Sequence, residues 1–333
     1  MPLTELSFLG LVATALITAL LISFVATPVV KSLAQKVGAV DVPKDGRRMH
    51  DHPIPRMGGL AIFLGFTLAV LVFADLTRQL QGMLLGAVII VVLGIFDDIY
   101  ALRASFKFVV QIIAALVAVL YGGNVISVLS NPNIFSSNPW WVLGPLSIPV
   151  TVLWIVAITN AVNLIDGLDG LAVGVSTISS MTLLVIALTV ADWEVAVLMG
   201  ALAGACIGFM PYNLNPAKIF MGDTGSTFLG FVLAVVSIQG LFKFYPIISF
   251  AVPFLMLGLP IFDTAFAFIR RIAHGQNPMS PDRSHVHHRL IDMGFNQKQA
   301  VAVLYVISAI LGLSAVVLTT SGALKAMMLL LAL

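Results

Sequence analysis

The feature that most constrains this chain is a series of apolar segments, each long enough to cross a lipid bilayer. Hydrophobic residues make up 59% of the 333 residues and charged residues only 10%, and the mean hydropathy is +1.06. The segments lack the alternation of apolar and polar residues that a membrane β-barrel requires. The sequence therefore predicts an all-α protein, a polytopic integral membrane helix bundle, with residues 1–333 forming a single domain.

The hydropathy pattern predicts about eleven transmembrane helices. The first apolar segment is too long for a signal-peptide core, and no small-residue cleavage site ends it. The segment 246–270 contains three prolines, so we expect it to be bent or broken. The predicted spans are 6–30, 57–75, 80–97, 106–122, 147–163, 168–190, 195–212, 226–242, 246–270, 300–318 and 322–333.

The basic residues are distributed unequally between the two sets of connecting loops. Of the 17 Lys and Arg residues, 14 lie in or beside one set and three lie on the other side. Cytoplasmic loops of membrane proteins carry the excess of Lys and Arg. We therefore expect the N-terminus outside and the first set in the cytoplasm. These predicted cytoplasmic loops are about 31–56, 98–105, 164–167, 213–225 and 271–299.

Side chains suited to catalysis and binding also gather on the predicted cytoplasmic side. All six histidines and several carboxylates lie in or beside these loops. We expect from this grouping one composite site, an active-site cleft on the cytoplasmic face. Cys206 is the only cysteine, which excludes an intrachain disulfide and a cysteine metal site.

The motif GIFDDIY, residues 94–100, ends an apolar segment with two adjacent carboxylates. Neighbours on a helix point about 100° apart, so Asp97 and Asp98 can face different surroundings. Paired carboxylates suit metal binding, or proton abstraction when one raises the pKa of the other. A solvated helix end is the alternative interpretation.

The motif FMGDTGSTFLGF, residues 220–231, places Asp223 between two glycines. Ser226 then begins an apolar segment and is placed to cap a helix. Backbone N–H groups at that helix start would bind phosphate, and Asp223 beside them would hold a hard cation. The alternative is a tight turn with an N-cap.

The motif NAVNLIDGLDGLA, residues 160–172, repeats one polar spacing. Asn160 and Asn163 share a helix face, and Asp166 and Asp169 have the same separation. Amide side chains both donate and accept hydrogen bonds, as recognition of a nucleobase or sugar requires. A polar hairpin tip is the alternative.

The motif SPDRSHVHHRL, residues 280–290, is a dense group of cationic and imidazole donors. Arginine and several imidazoles can bind a pyrophosphate. The rival interpretations are a zinc site and a basic loop that touches anionic lipid. Its candidate residues are Arg283, His285, His287, His288 and Arg289.

Two further charged residues stand at or inside the membrane boundary. Arg56 lies at the membrane edge, where it can contact an anionic head group. Asp263 lies inside the proline-rich segment, and it either serves the site or pairs with Arg270. The sequence leaves both alternatives open.

Taken together, the motifs resemble those of the polyprenyl-phosphate N-acetylhexosamine-1-phosphate transferase family. They occur in the family's order and extend from about residue 20 to 300. The resemblance implies a bundle of ten or eleven helices that transfers a sugar 1-phosphate from a UDP-sugar to a membrane polyprenyl phosphate and releases UMP. The matching stretches are RMGG at 56–59, FDD at 96–98, NAVNLIDGLDGLA at 160–172, NPAKIFMGDTGS at 215–226 and HVHHRL at 285–290.

The resemblance also implies roles for individual residues. Asp223 is the main metal ligand with Asp98 beside it, the metal being Mg²⁺ or Mn²⁺. Asp97 is the base for the lipid phosphate, and His287 belongs with these catalytic residues. Phe220 stacks on the uracil. The remaining expected substrate-binding residues are Arg56, Lys107, Asn163, Asp166, Asp169, Asn213, Arg283, His285 and His288.

Details of two motifs resemble the branch that uses UDP-GlcNAc and initiates teichoic acid or O-antigen synthesis. The muramoyl-pentapeptide branch usually has three consecutive histidines and a Thr-Pro-Thr-Met-Gly-Gly run, and this chain differs at both places. Activity of that second type is the alternative within the family. A secondary transporter of a phosphorylated or nucleotide solute and a scaffold for glycan enzymes are alternatives from other classes.

The expected partners follow from the same resemblance. They are UDP-GlcNAc, undecaprenyl phosphate, the lipid bilayer and a second copy of the chain in a homodimer, with no nucleic acid. We expect a multi-pass protein of the bacterial cytoplasmic (inner) membrane that is sensitive to tunicamycin.

Overall fold

The computed structural model describes residues 5–43, 52–130, 138, 140–240, 251–273, 275 and 285–319, and these are predominantly helical. The helices are α1 (Glu5–Val37), α2 (Gly59–Phe73), α3 (Arg78–Tyr100), α4 (Ala104–Leu116, continued by a π-helical turn Val117–Tyr121), α5 (Ser147–Leu164, after a 3₁₀ turn Gly144–Leu146), α6 (Leu171–Thr189), α7 (Trp193–Asn213), α8 (Gly222–Gly240), α9 (Ala251–Met256), α10 (Gly258–Ala273), α11 (Val286–Asp292) and α12 (Gln297–Thr319).

Two short antiparallel strand pairs complete the described structure. Strand β1 (Val40–Asp41) pairs with β2 (Ile54–Pro55), and β3 (Val128–Ser130) pairs with β4 (Trp140–Val142). The first pair lies between α1 and α2. Its Pro55 carbonyl accepts a 2.8 Å hydrogen bond from the backbone N–H of Phe220, which ties this loop to the segment before α8.

Seven helices in the described part of the chain are long and apolar enough to cross a membrane, and α2 is a shorter apolar helix. The prediction of an all-α polytopic membrane protein is therefore confirmed. The proline-rich segment is broken as expected, because a turn at Leu257 separates α9 from α10. The predicted span 322–333 lies outside the described residues.

Several predicted boundaries were wrong. Helix α1 continues to Val37, seven residues beyond the predicted end at residue 30. Helix α8 begins at Gly222, so Ser226 lies within the helix and is not its N-cap. The predicted loop 271–299 contains α11 and the start of α12. These errors move ends of elements without changing their order.

Helix α8 is the centre of the bundle. It is buried along its length except at Asp223, and it contacts α2, α3, α5 and α6. A helix that is apolar all round belongs in the interior of a bundle. Its N-terminus is therefore fixed by the helices around it, which explains how a charged motif can be held at a defined place.

Close packing at the start of α8 depends on Gly94 of α3. A Cβ atom at this position would overlap the backbone of Thr224. Backbone atoms cannot rotate away as a flexible side chain can, so only glycine permits this approach. The approach brings the acidic end of α3 against the acidic start of α8.

We predict that Gly94→Ala lowers the apparent melting temperature in detergent by several degrees. Overpacking a well-filled interior typically costs ~1–3 kcal/mol. Gly10→Ala is the matched control, since a Cβ at Gly10 of α1 meets nothing within 4 Å. Equal melting temperatures for the two variants would contradict the close approach of α3 and α8.

Candidate active site

An ion-paired lysine joins three of the predicted residues. Lys107 on α4 donates from Nζ to Asp97 Oδ2 on α3 and to Asp223 Oδ2 on α8, each at 2.8 Å. The three side chains come from three helices, and Asp223 lies 116 residues from Lys107. The predicted base, the predicted metal ligand and a predicted substrate-binding lysine thus form one cluster.

The neighbouring carboxylate, Asp98, holds the start of α8. It accepts hydrogen bonds from the backbone N–H groups of Asp223 (3.0 Å) and Thr224 (3.1 Å) and from Thr224 Oγ1 (2.7 Å). An anion at a helix N-terminus is stabilised by the helix dipole and by the otherwise unpaired N–H groups. Asp98 therefore caps α8 from another helix.

This contact bears on two predictions, phosphate binding at the start of α8 and metal binding by Asp98. The sequence predicted that N–H groups at a helix start near Ser226 would bind phosphate; the helix instead begins at Gly222, and the N–H groups of Asp223 and Thr224 at its start are bonded to Asp98. Gly222 permits the contact, because its φ is +71° and a Cβ there would overlap the Asp98 carboxylate. Metal binding and catalysis by Asp98 stay predictions.

A polar pocket of about 310 Å³ opens beside this cluster. Eight of the predicted site residues line it, and they come from distant parts of the chain. Two residues that the motifs did not indicate, Asp41 of β1 and Gln297 of α12, line it as well. The predicted residues in the lining are Arg56, Asn163, Asp166, Asp169, Asn213, Phe220, Asp223 and His288.

Residues 160–172, which we call the Asn–Asp motif, form one wall of this pocket and make hydrogen bonds to neighbouring segments. Asn163 Nδ2 donates to Ser226 Oγ of α8 at 2.8 Å. Asp169 Oδ2 accepts from Asn215 Nδ2 at 2.9 Å and from the backbone N–H of Ala217 at 3.0 Å. The turn between α5 and α6 is thereby joined to the connection between α7 and α8.

The pocket concentrates negative charge around one buried arginine. Burial raises the pKa of Asp166 to about 7, and the charge of Asp223 acts in the same direction while Arg56 opposes it. Burial alone would lower the pKa of Arg56, but Asp98, Asp41 and the other carboxylates raise it above its usual value. The guanidinium of Arg56 therefore stays charged, and the surrounding carboxylates favour the binding of a cation in this pocket.

The carboxylate and amide oxygens of the pocket are suitable ligands for a hard divalent cation. The carboxylates of Asp223 and Asp166 line it with the amide of Asn163, and the buried Oδ1 of Asn213 has no hydrogen-bond partner among the described residues. Within the described ranges, no group of three or more His, Cys, Asp or Glu side chains is arranged as a metal site. Mg²⁺ characteristically uses one or two carboxylates and completes its shell with water and substrate phosphate.

A second cavity, which we call the apolar groove, has a volume of about 1020 Å³. Side chains of α4, α5 and α10 form its apolar walls. Arg271 and the histidine segment, His285, His287 and His288, form its polar end. Asn163, Gly167 and His288 line both cavities, so the groove meets the polar pocket at these residues.

Asp263 holds the histidine segment. Its Oδ2 lies 2.8 Å from His285 Nδ1, and its Oδ1 accepts a 2.8 Å hydrogen bond from the backbone N–H of Val286. The sequence left open whether Asp263 serves the site or pairs with Arg270. Its contacts with the histidine segment support a place in the site. Arg283 lies outside the described residues.

His287 is buried beside Gly167, at the junction of the two cavities. Burial lowers the pKa of its ring to about 4, and the neighbouring His288 adds to this shift. The ring is therefore neutral near pH 7. A neutral imidazole can bind or relay a proton but adds no positive charge to the site.

We predict that His287 makes folding sensitive to acid. Between pH 6.5 and 4 the unfolded chain binds a proton that the folded protein excludes, so stability falls as pH falls, by about 2 kcal/mol at pH 5. His287→Asn should reduce the loss of apparent melting temperature between pH 7 and pH 5. His52→Asn, which changes an exposed side chain, should not. Equal losses in wild type and His287→Asn would contradict the buried neutral ring.

Comparison with protein families identifies one match over the centre of the chain. The family model described as "Glycosyl transferase family 4" matches residues 80–241. This range extends from α3 to just past the end of α8. It therefore includes the Lys107 ion pairs, the Asn–Asp motif and Asp223.

Individual relatives match over most of the chain. A "Probable undecaprenyl-phosphate N-acetylglucosaminyl 1-phosphate transferase" of Bacillus subtilis (strain 168) is 44% identical over 315 residues, which cover 93% of this chain and 86% of the relative. A "Decaprenyl-phosphate N-acetylglucosaminephosphotransferase" of Mycolicibacterium smegmatis is 36% identical, with 91% and 80% covered. An "Undecaprenyl-phosphate alpha-N-acetylglucosaminyl 1-phosphate transferase" of Escherichia coli O157:H7 is 31% identical, with 90% and 82% covered.

Proposed function

This chain belongs to glycosyl transferase family 4, and we propose that it transfers GlcNAc 1-phosphate from UDP-GlcNAc to undecaprenyl phosphate and releases UMP. The observation that carries this proposal is the meeting of a polar pocket with an apolar groove at Asn163, Gly167 and His288. A water-soluble donor and a lipid acceptor need two such cavities that share one reaction point. The relatives' names support both substrates and do not favour the muramoyl-pentapeptide or transporter alternatives.

The polar pocket suits the donor. Phe220 offers a ring for stacking on uracil, and the side chains of Asn213 and Asp169 offer hydrogen bonds for its edge. Arg56 brings a permanent positive charge to the same pocket, and a pyrophosphate carries the complementary charge. We place the uridine near Phe220 and the two phosphates between Arg56 and Asp223.

The apolar groove suits the acceptor. Its walls are mainly Phe, Ile, Leu, Val and Ala side chains of α4, α5 and α10, which favour a prenyl chain. Its polar end carries Arg271 and the histidines, which favour a phosphate head group. A prenyl chain in this groove would bring its phosphate to the border of the polar pocket.

The reaction requires one bond to form and one to break. An oxygen of the lipid phosphate attacks the β-phosphorus of UDP-GlcNAc, and the bond from that phosphorus to the oxygen of UMP breaks. The attacking oxygen is already present on the lipid, so a covalent enzyme intermediate is unnecessary. Asp97 would accept the proton of the lipid phosphate when that phosphate is protonated.

The positive charges of the site would make this attack favourable. Lys107, now paired with Asp97 and Asp223, is placed to exchange a carboxylate for a phosphate oxygen when substrate enters. Asp223, with Asp166 near it, would hold Mg²⁺, and this ion would neutralise phosphate charge in the transition state. Arg56 and hydrogen-bond donors of the histidine segment would stabilise the remaining negative charge.

We further propose that the site faces the cytoplasm in the inner membrane of a bacterium, with the N-terminus outside. The site is built at the ends of α3, α5 and α10 and at the starts of α4, α6 and α8. The same ends adjoin the loops that are rich in Lys and Arg, and this bias supports the orientation. UDP-sugars are cytoplasmic metabolites, which fits this placement.

The central prediction concerns UMP release by purified protein given UDP-GlcNAc, undecaprenyl phosphate and Mg²⁺. Asp223→Ala should lower kcat by at least about 100-fold, because it removes charge stabilisation from the transition state. Lys36→Ala is the matched control, since this exposed lysine lies in the last turn of α1 and lines neither cavity. Equal losses in the two variants would contradict the role of Asp223.

Metal removal gives an independent prediction. EDTA should abolish UMP release, and excess Mg²⁺ should restore it, because the carboxylates of the pocket cannot neutralise phosphate themselves. Full activity in EDTA would contradict the metal proposal and leave the transferase proposal intact. Release from another UDP-sugar, but none from UDP-GlcNAc, would contradict the choice of donor.

A further inference from the structure

A buried carboxylate contacts the histidine segment, and it lies outside the five motifs that resemble those of the transferases. Asp263 on α10 is 4% exposed. It uses both oxygens, one toward His285 Nδ1 and the other toward the backbone N–H of Val286, each at 2.8 Å. An ionised carboxylate can only accept hydrogen bonds, so Nδ1 of His285 carries the proton.

This arrangement determines what the other ring nitrogen can do. In the part of the chain that the structure describes, Nδ1 is the nitrogen through which His285 makes a hydrogen bond. Nε2 remains for a ligand in the apolar groove, which His285 lines. The carboxylate fixes the ring's orientation, and its negative charge would balance a ring that donates from both nitrogens, from Nδ1 to Asp263 and from Nε2 to a phosphate.

The neighbouring histidine is less suited to bind an anion. His287 is also buried, but its pKa of about 4 keeps it neutral near pH 7. Asp263 lies in contact with His285, which therefore has a compensating negative charge within hydrogen-bond distance. Of these two buried rings, His285 is the one that a carboxylate holds by a direct hydrogen bond.

We propose that Asp263 is a positioning residue that holds His285 so that its Nε2 binds the phosphate of the lipid acceptor at the polar end of the apolar groove. The inference rests on the proposed transferase function and adds to it. It assigns the Asp263–His285 pair to the acceptor and separates it from the donor site around Phe220. Loss of the pair should therefore affect the lipid substrate and spare the nucleotide.

Asp263→Asn tests this proposal with little change in volume. The amide oxygen can still accept from the Val286 N–H, but the amide NH₂ then faces Nδ1, so the ring can no longer donate from both nitrogens and binds phosphate without the compensating carboxylate charge. We expect kcat/KM for undecaprenyl phosphate to fall about 10-fold, because a neutral hydrogen bond to phosphate replaces a charge-assisted one. KM for UDP-GlcNAc should change less than about threefold. Asp292→Asn, at the exposed end of α11, is the control and should match wild type.

A double-mutant cycle separates positioning from a structural role. If Asp263 acts through His285, then adding Asp263→Asn to His285→Ala should cause less than about a twofold further loss. If it acts only by holding the start of α11 through Val286, the full loss should appear in both backgrounds. That second result, or wild-type kinetics of Asp263→Asn, would overturn the proposal.

Two controls keep the outcomes distinguishable. Wild-type protein that releases no UMP would refute the proposed function itself, whereas an active wild type with an unaffected Asp263→Asn would refute this inference alone. Should Asp263→Asn fail to fold, His285→Gln tests the same contact, since its amide can still donate to Asp263. Unchanged kinetics with undecaprenyl phosphate in His285→Gln would then overturn the proposal.

Discussion

The Asp98 carboxylate, buried at the end of α3, accepts hydrogen bonds from the backbone N–H groups at the start of α8. A buried charge without partners is costly, so this carboxylate and this helix start stabilise each other. Asp97 directly precedes Asp98 on α3 and Asp223 supplies one of the bonded N–H groups, so the contact also brings the other two carboxylates together. Lys107 then joins them with two 2.8 Å ion pairs. The catalytic geometry that we propose depends on this junction of α3 and α8.

From this junction the two cavities extend in different directions. The polar pocket lies among Arg56, Phe220 and the Asn–Asp turn, and the apolar groove lies among α4, α5 and α10. His288 reaches both, while Asp263 fixes the segment that carries it. The polarity of each cavity matches one proposed substrate. The nucleotide sugar would occupy the polar pocket and the prenyl chain the apolar groove, and their phosphates would meet where the cavities join.

Hydropathy and motif spacing predicted much of this structure, because apolar length and polar clusters are local properties of a sequence. The order of the described helices and the break in the proline-rich segment followed from them, whereas several of the eight pocket residues, such as Asn213 and Phe220, were expected only from the family resemblance. Long-range contacts were not predictable in the same way. Local sequence predicts Ser226 as the N-cap of α8, whereas the carboxylate that caps this helix, Asp98, comes from α3. Asp41, Gln297 and the Asp263–His285 pair were missed or left open because isolated polar residues carry no periodic signal.

The most direct test of the central claim follows the β-phosphorus of the donor. Purified protein would be given UDP-GlcNAc labelled with ³²P at the β-phosphate, together with undecaprenyl phosphate, and the organic and aqueous phases would be counted after extraction. We expect the label in the lipid phase, since the transferred group is GlcNAc 1-phosphate and the leaving group is UMP. Label that stays in the aqueous phase as UDP, while GlcNAc moves to the lipid, would show cleavage at the sugar carbon and contradict the proposed reaction.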